Sequence, residues 1–265
     1  MFEPYLKRWD LTPDGEAIIT RSSRLLPVRQ HGLAAMLKVA AEPEEKYGAA
    51  LTAWWDGCGA ARVLAHHGDG LLLERARGDL SLSHLARSGR DDEASRIICD
   101  VVAKLHAPRN KPLPELIALE RWFAELEPGA LAHGGILRLC ASTARTLLEA
   151  PQDVTVLHGD IHHDNILDFG TRGWLAIDPK RLLGERGFDY ANLFCNPDFD
   201  IAASPACFAR RLAVVSEAAG LDRKRLLQWI LAWAGLSAVW SLGDACSPAT
   251  AFAVAELAAA ELSLC

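Results

Sequence analysis

The sequence predicts an α+β chain in two lobes, a small β-rich one followed by a larger, mostly helical one. Three observations predict it. Short apolar runs alternate with turn signals over the first 75 residues, and apolar residues then recur at helical spacing from about residue 80. A compact β-like patch returns only at 154–178, around the densest polar cluster in the chain. With 265 residues, 50% of them hydrophobic and 23% charged, the chain has material for one large domain or two small lobes and is not a disordered one.

The elements follow in order. Leu25–Val28 and Met36–Val39 flank the turn signal His31-Gly32 and read as two strands. Glu42-Pro43-Glu44-Glu45 opens a helix that runs over 46–55 and stops at Asp56-Gly57. Arg62–Leu64 and Leu71–Leu73 flank a polar turn and read as two more strands. The texture changes after Arg77-Gly78-Asp79, so the expected lobes are residues 1–78 and 79–265. In the second, Ile97, Ile98, Val101, Val102 and Leu105 mark a helix, the stretch Pro108–Pro114 interrupts, and helices are expected over 116–127, ended by Pro128-Gly129, and over 136–150. Strands are expected at Val154–Leu157, Ile166–Asp168 and Trp174–Ile177, and helices fill the remainder to Ala249–Ala260. The uncharged stretch Leu226–Gly243 approaches the length of a membrane span, but it carries Gln228, Ser237 and Ser241 and is expected to be a buried core helix.

Charge and cysteine content narrow the function classes. The 28 Lys+Arg against 34 Asp+Glu give a net charge of −6, which argues against nucleic-acid or anionic-membrane partners and leaves room for a cationic small molecule. The seven cysteines form no C-x-x-C pair, so reduced thiols are expected rather than a disulfide framework or zinc ribbon. Met1–Lys7 lacks a basic segment followed by an apolar one, so a cytoplasmic chain without a signal peptide is expected, monomeric by default.

The chemistry sits in His158-Gly159-Asp160-Ile161-His162-His163-Asp164-Asn165, between two strand-like runs, with Asp178 following 13 residues after Asn165. A carboxylate base, an amide oxygen and a second carboxylate from one two-stranded unit suit phosphoryl transfer. Asp160 would orient or deprotonate an acceptor hydroxyl, and Asn165 and Asp178 would hold Mg²⁺ against a triphosphate. A metal-dependent phosphohydrolase built on His158, His162, His163 and Asp164 is the alternative, disfavoured because no second His/Asp cluster completes a coordination shell. His158 is expected to be structural, its ring bonded to loop backbone, with His162 and His163 facing solvent or phosphate.

The segment His158-Gly159-Asp160-x-x-x-x-Asn165 resembles the catalytic loop of the aminoglycoside phosphotransferases, and Ile177-Asp178 resembles their metal-binding segment. Within that family the match is nearest the streptomycin 6-phosphotransferases, among the aminoglycoside and hydroxyurea resistance kinases. It is carried by Trp54-Trp55-Asp56-Gly57-x-Gly59-Ala60-Ala61-Arg62-Val63, by 157–165, by Gly173–Pro179 and by Gly184-Glu185-Arg186-x-Phe188-Asp189-Tyr190-Ala191-Asn192. The resemblance implies a bilobal protein-kinase-like fold and an ATP- and Mg²⁺-dependent transfer of phosphate to a hydroxyl of streptomycin, with hydroxyurea or another small hydroxyl compound as the alternative acceptor.

The same resemblance implies the nucleotide contacts. Lys38, in Met36-Leu37-Lys38-Val39, would reach the α- and β-phosphates. The family's glutamate partner for this lysine falls near Gly48, a departure, and Glu45 is the nearest substitute. Ser22 and Ser23 resemble a serine-bearing phosphate loop, and the Glu74 carbonyl and Ala76 amide would meet the adenine. Streptomycin carries guanidinium groups, which carboxylates bind bidentately, so Glu185, Asp198 and Asp200, with Asp244 or Glu261, are the expected acceptor contacts. Asp189 is expected to cap or brace a loop.

Overall fold

The computed structural model describes residues 1–20, 22–41 and 43–264; the side chains of residues 43–47 lie outside the description. The first lobe comprises α1 (Glu3–Arg8), β1 (Leu11–Pro13), β2 (Ile18–Ile19), β3 (Ser23–Gln30), β4 (Leu33–Ala40), α2 (Pro43–Trp55), β5 (Val63–His67) and β6 (Gly70–Glu74). Its strands form one antiparallel sheet in the order β1-β3-β4-β6-β5, with β2 also paired to β3. Alternation along β4 decides what each face does. Ala35, Leu37 and Val39 join Leu11, Leu26, Val28 and Leu72 in a small core covered by Tyr5 and Leu6 of α1. Lys38 points the other way and sits opposite Leu71 of β6, which packs with Leu73 and with Ala49 of α2. The periodicity that builds the sheet therefore places the one lysine of β4 beneath α2.

The second lobe comprises α3 (Leu82–Arg87), α4 (Asp91–His106), β7 (Ile117–Ala118), α5 (Leu119–Trp122), α6 (Leu126–His133), α7 (Ile136–Glu149), β8 (Val154–Leu157), β9 (Ile166–Asp168), β10 (Trp174–Ala176), β11 (Leu182–Glu185), α8 (Phe199–Ala202), α9 (Pro205–Ala219), α10 (Arg223–Gly243) and α11 (Ala249–Leu262). Helix α10 is long and apolar enough to cross a membrane. It is instead the centre of the lobe's core: Leu226, Leu227 and the unbroken run Trp229–Leu236 are buried, in a helix packed mainly against α7 and α11. The six described cysteines are free thiols, and burial pushes Cys99 and Cys140 up to about 12.

Three elements differ from expectation. Helix α1 was not expected, although Pro4 at its start, Glu3 in its first turn and Lys7 and Arg8 in its last are helix signals. The expected helix over 116–127 is divided into β7, α5 and the start of α6, and Pro128-Gly129 lies inside α6 rather than ending it. Pro128 occupies the first turn, where an absent N–H costs nothing. Gly129 is required there because a Cβ would come within 2.4 Å of Val239. Strand β11 was not expected; it lies between β7 and β8 in a three-stranded sheet.

The lobes meet along backbone. Ala61 N–H donates to Ala176 O and Ala176 N–H to Gly59 O, both at 2.9 Å, which docks Gly59-Ala60-Ala61 onto β10. Gly78 N–H donates to Asp168 O, also at 2.9 Å. Between these bonds Ala61, Phe169 and Leu175 form a small apolar cluster that Ala76 packs against.

Candidate active site

The candidate catalytic loop leaves β8 at Leu157 and returns as β9, which pairs with β10. His158 is fully buried. Its Nε2 lies 2.8 Å from Ile177 O, and Asp160 N–H donates to its Nδ1 at 3.2 Å. Holding both bonds at once requires the neutral ring with its proton on Nε2. Burial pushes its pKa below the ordinary value, against the charges of Asp189 and Asp160, so the structural role expected for this ring is the one observed. Asp189 braces the same loop from beneath. Its two carboxylate oxygens accept the backbone N–H groups of His158 at 2.8 Å and Gly159 at 2.7 Å, and His106 Nε2 lies 2.8 Å from Oδ2.

Asp160 is held by amides on both sides. Asn165 Nδ2 donates to its backbone oxygen at 2.9 Å and to Oδ2 at 3.2 Å, while Asn192 Nδ2 donates to Oδ1 at 2.9 Å. Asn192 is fixed in turn by Trp233 Nε1, which donates to its Oδ1 at 3.0 Å. Asp178 lies two residues past β10 with a positive φ of 66°, and Lys38 of β4 contacts its carboxylate directly across the lobe interface. Burial raises the pKa of Asp178, but the charge and hydrogen bond of Lys38, with the charge of Lys180, offset this and hold the carboxyl below its usual range. Lys38, Asp160, Asn165 and Asp178 therefore lie along one seam.

Asn165 and Asp178 suit a hard divalent cation. Asn165 directs its amide nitrogen at Asp160, which leaves its Oδ1 as a hard-oxygen ligand, and the bond from Ile177 N–H to Asn165 O at 2.9 Å holds the two strands in step. Among the described residues no group of three or more His, Cys, Asp or Glu is arranged to hold a metal ion, so the cluster a metal hydrolase would need is not found there. His163 corrects a further expectation: it is buried rather than facing solvent or phosphate, with Nε2 3.8 Å from Asp91, too far for a hydrogen bond.

The nucleotide contacts divide. The Glu45 side chain lies outside the described residues. The departure at Gly48 has a physical cause: a Cβ there would come within 2.6 Å of Pro179 O, so α2 packs directly on the residue after Asp178 and leaves no room for a side chain. The Ser23 hydroxyl lies 3.1 Å from Thr20 Oγ1 and closes the β2–β3 turn, and the Ser22 carbonyl accepts from Ala41 N–H at 2.8 Å. Glu74 ends β6, where its side chain accepts from Arg62 N–H at 2.5 Å and contacts Arg172, and Ala76 lies just beyond in the connector between the lobes.

The expected acceptor carboxylates are corrected. Glu185 is buried, pairing with Arg225 at 2.6 Å, accepting from Trp229 Nε1 at 2.7 Å and from Gln152 N–H at 2.9 Å. In β11 it pairs with Val154, three residues and about 10 Å along the strand from the catalytic-loop end at Leu157. Asp198 caps α8 through Ile201 N–H at 3.2 Å and pairs with Arg87 at 2.7 Å, and Asp200 is exposed in the first turn of α8. Glu261 pairs with Arg223 at 2.7 Å. None of these lines the cleft beside Asp160.

That cleft has a volume of about 860 Å³. Its carboxylates are Asp160, Glu125 and Asp244; Trp122, Trp233 and Trp240 supply aromatic wall, Asn192 and Asn196 supply amides, and Arg121 and Lys180 are its cations. Asp244 is thus the one expected late-helix acid that reaches it. Sequence reasoning missed Glu125, Lys180, Asn192 and Asn196. Asn192 stands within the motif quoted above and Lys180 two residues past Asp178, so both carried a positional signal; Glu125 carried none.

Two neutral buried imidazoles near the loop set an acid limit on the fold. Burial lowers the pKa of both His158 and His163 from their ordinary 6.5, so the unfolded chain takes up protons that the folded chain refuses. Stability is fully present above pH 6.5 and falls as pH drops below it, with a slope approaching about 1.4 kcal/mol per pH unit for each ring. Urea unfolding at pH 7.5, 6.0 and 5.0 should show the midpoint falling over this range, and a midpoint that stays constant would contradict it.

Residues 8–245 match the family described as aminoglycoside/hydroxyurea antibiotic resistance kinase. A streptomycin 3''-kinase of Klebsiella pneumoniae is 53% identical over 244 residues, covering 90% of this chain and 91% of that protein. A streptomycin 6-kinase of Streptomyces glaucescens is 33% identical over 260 residues, covering 92% and 83%. Similarity is thus greater to this 3''-kinase than to the 6-kinase, the type the motifs suggested. Among solved structures, a thermostable mutant of aminoglycoside phosphotransferase APH(4)-Ia in ternary complex with AMP-PNP and hygromycin B superposes with a TM-score of 0.68 at 13% identity, covering 98% of this chain and 97% of that one. Expected fold and observed fold therefore coincide, a small β-sheet lobe on a larger helical one, and the chain belongs to the aminoglycoside/hydroxyurea antibiotic resistance kinases, phosphotransferases of protein-kinase-like fold.

Proposed function

We propose that the chain is an ATP- and Mg²⁺-dependent O-phosphotransferase of the cytoplasm that phosphorylates a hydroxyl of streptomycin. The observation that carries this reading is the contact between Lys38 and Asp178, which brings the first lobe's lysine to the hairpin that follows the loop bearing Asp160 and Asn165. Residues 1–78 hold the nucleotide: Lys38 aligns its phosphates, the Glu74 carbonyl and Ala76 amide meet the adenine, and Ser22 lies over the phosphates. Residues 79–265 hold the acceptor and the catalytic groups. Asn165 and Asp178 hold the metal, which supplies neutralising charge to the phosphates. Asp160, its carboxylate aimed by two amides, takes up the acceptor proton. Catalysis is positioning and charge neutralisation, with little covalent work for the protein.

The cleft supports the acceptor class. Carboxylates of Glu125 and Asp244 match guanidinium groups, and the partly exposed Trp122 and Trp240 offer aromatic surface on which such planar cations stack. The 53% identity to a 3''-kinase favours the 3''-hydroxyl over the 6-hydroxyl. The test is ATP turnover with streptomycin and separately with hydroxyurea, followed by mass spectrometry and NMR of the product. One added phosphoryl group on streptomycin at the 3''-oxygen is expected. A streptomycin recovered without added mass removes the substrate assignment, and a phosphate at the 6-oxygen reverses the positional one.

A further inference from the structure

Lys180 lies beside the carboxylate of Asp160. Its Nζ is 3.9 Å from Asp160 Oδ2, beyond hydrogen-bond range. Its side chain lines the acceptor cleft and is 27% exposed. Several independent features fix it there. Its backbone N–H donates to His158 O at 2.7 Å, which ties it to the catalytic loop. Asp178 and Arg181 near it both have positive φ, 66° and 52°, conformations that side-chain-bearing residues rarely adopt and that cluster at functional sites. Gly159, at φ +85°, gives way to it as well, since a Cβ there would come within 3.0 Å of Lys180 Cβ and 2.8 Å of Leu182 Cδ1.

The reaction makes a cation necessary at this point. The acceptor oxygen bonds to the γ-phosphorus, the bond from that phosphorus to the β–γ bridging oxygen breaks with its electron pair leaving on ADP, and the hydroxyl proton passes to Asp160. An anionic base must therefore approach a polyanion within a few ångströms, and like charges at that separation repel unless a positive charge lies beside both. Lys38 contacts Asp178 on the nucleotide side, whereas Lys180 opens on the acceptor side. We propose that Lys180 is a catalytic residue, the ammonium that neutralises the transferring phosphoryl group where it meets the acceptor and Asp160. This role rests on the ATP-dependent transfer proposed above.

Lys180→Met tests it, with Lys180→Gln read in the same way should the Met variant not fold. With saturating ATP and streptomycin, kcat should fall by about a hundredfold or more. Calorimetric affinity for AMP-PNP with Mg²⁺ should stay within about threefold, because nucleotide alignment falls to Lys38. Lys180→Arg, which keeps the charge, should recover at least about tenfold of the loss. A kcat within about threefold of wild type, a loss confined to KM, or a rate loss matched by an equal loss of nucleotide affinity would overturn the assignment. The two readings fail separately: a wild-type chain that transfers no phosphate ends the phosphotransferase reading, whereas a wild-type chain that transfers it and a Met variant that keeps its kcat end only the role of Lys180.

Discussion

Asp160→Ala is expected to lower the rate of phosphoryl transfer by about a thousandfold or more while leaving AMP-PNP affinity within about threefold. A positioned general base contributes about 10² to 10⁴ in rate, and loss of the carboxylate also removes the group that orients the acceptor hydroxyl. Alanine is a cleaner substitution than asparagine. Both carboxylate oxygens accept amide N–H groups, from Asn192 at 2.9 Å and from Asn165 at 3.2 Å, so an asparagine would set its own NH₂ against one of those donors. Alanine leaves the Asn192 amide on the open cleft, where water can satisfy it, and the Asn165 amide keeps its bond to the Asp160 backbone oxygen. Nucleotide binding should survive because Lys38 and Asp178 contact each other without Asp160. Single-turnover transfer and calorimetry on the same preparation separate the two effects. Undiminished turnover would remove Asp160 from the mechanism.

Asp189→Ala is expected to destabilise the fold by about 3–5 kcal/mol and to abolish activity with it. The carboxylate is buried at 1% exposure and accepts the N–H groups of His158 and Gly159 while contacting His106. Each buried donor left without a partner costs about 1–3 kcal/mol, and two would be abandoned together. Asparagine offers one oxygen in place of two, so it should recover only part of the loss. Urea unfolding at neutral pH measures both variants. An alanine variant as stable as wild type would show that the loop carries its own shape without this brace.

The two residues illustrate what the sequence made readable. Asp160, Asn165 and Asp178 were legible because one short loop and one hairpin hold them, so their spacing along the chain is nearly their arrangement in space. Lys38 was legible because a two-residue alternation fixes its face. Asp189 was legible as a brace, though not which loop it supports, since its partners lie 30 and 31 residues upstream. The acceptor wall was not legible. Glu125 comes from just before α6, Asn192 and Asn196 from the segment before α8, Trp233 and Trp240 from the middle and end of α10, and Asp244 from just past it. These segments meet only through tertiary packing, and an acidic residue on any of them looks like ordinary surface. For the same reason Glu185, Asp198 and Asp200, close in sequence to Asp178, were expected in a cleft they do not line. Proximity along β11 carried Glu185 away from the loop rather than towards it. The short strands β7 and β11 escaped notice because two to four residues leave little period to read.

The position of α10 in the chain has a consequence for synthesis in the cell. The helix that fills the middle of the second lobe is supplied only after residue 222, and α11, which packs on it, later still. The antiparallel sheet of the first lobe is complete by Glu74 and can form while the rest is still being translated, as N-terminal units generally do. The helices before α10 must wait for their central partner, with their apolar faces uncovered until it emerges. A nascent chain stalled before that point presents to chaperones and proteases a finished sheet attached to an uncapped helical layer, and it acquires resistance to both only when the last two helices close the lobe.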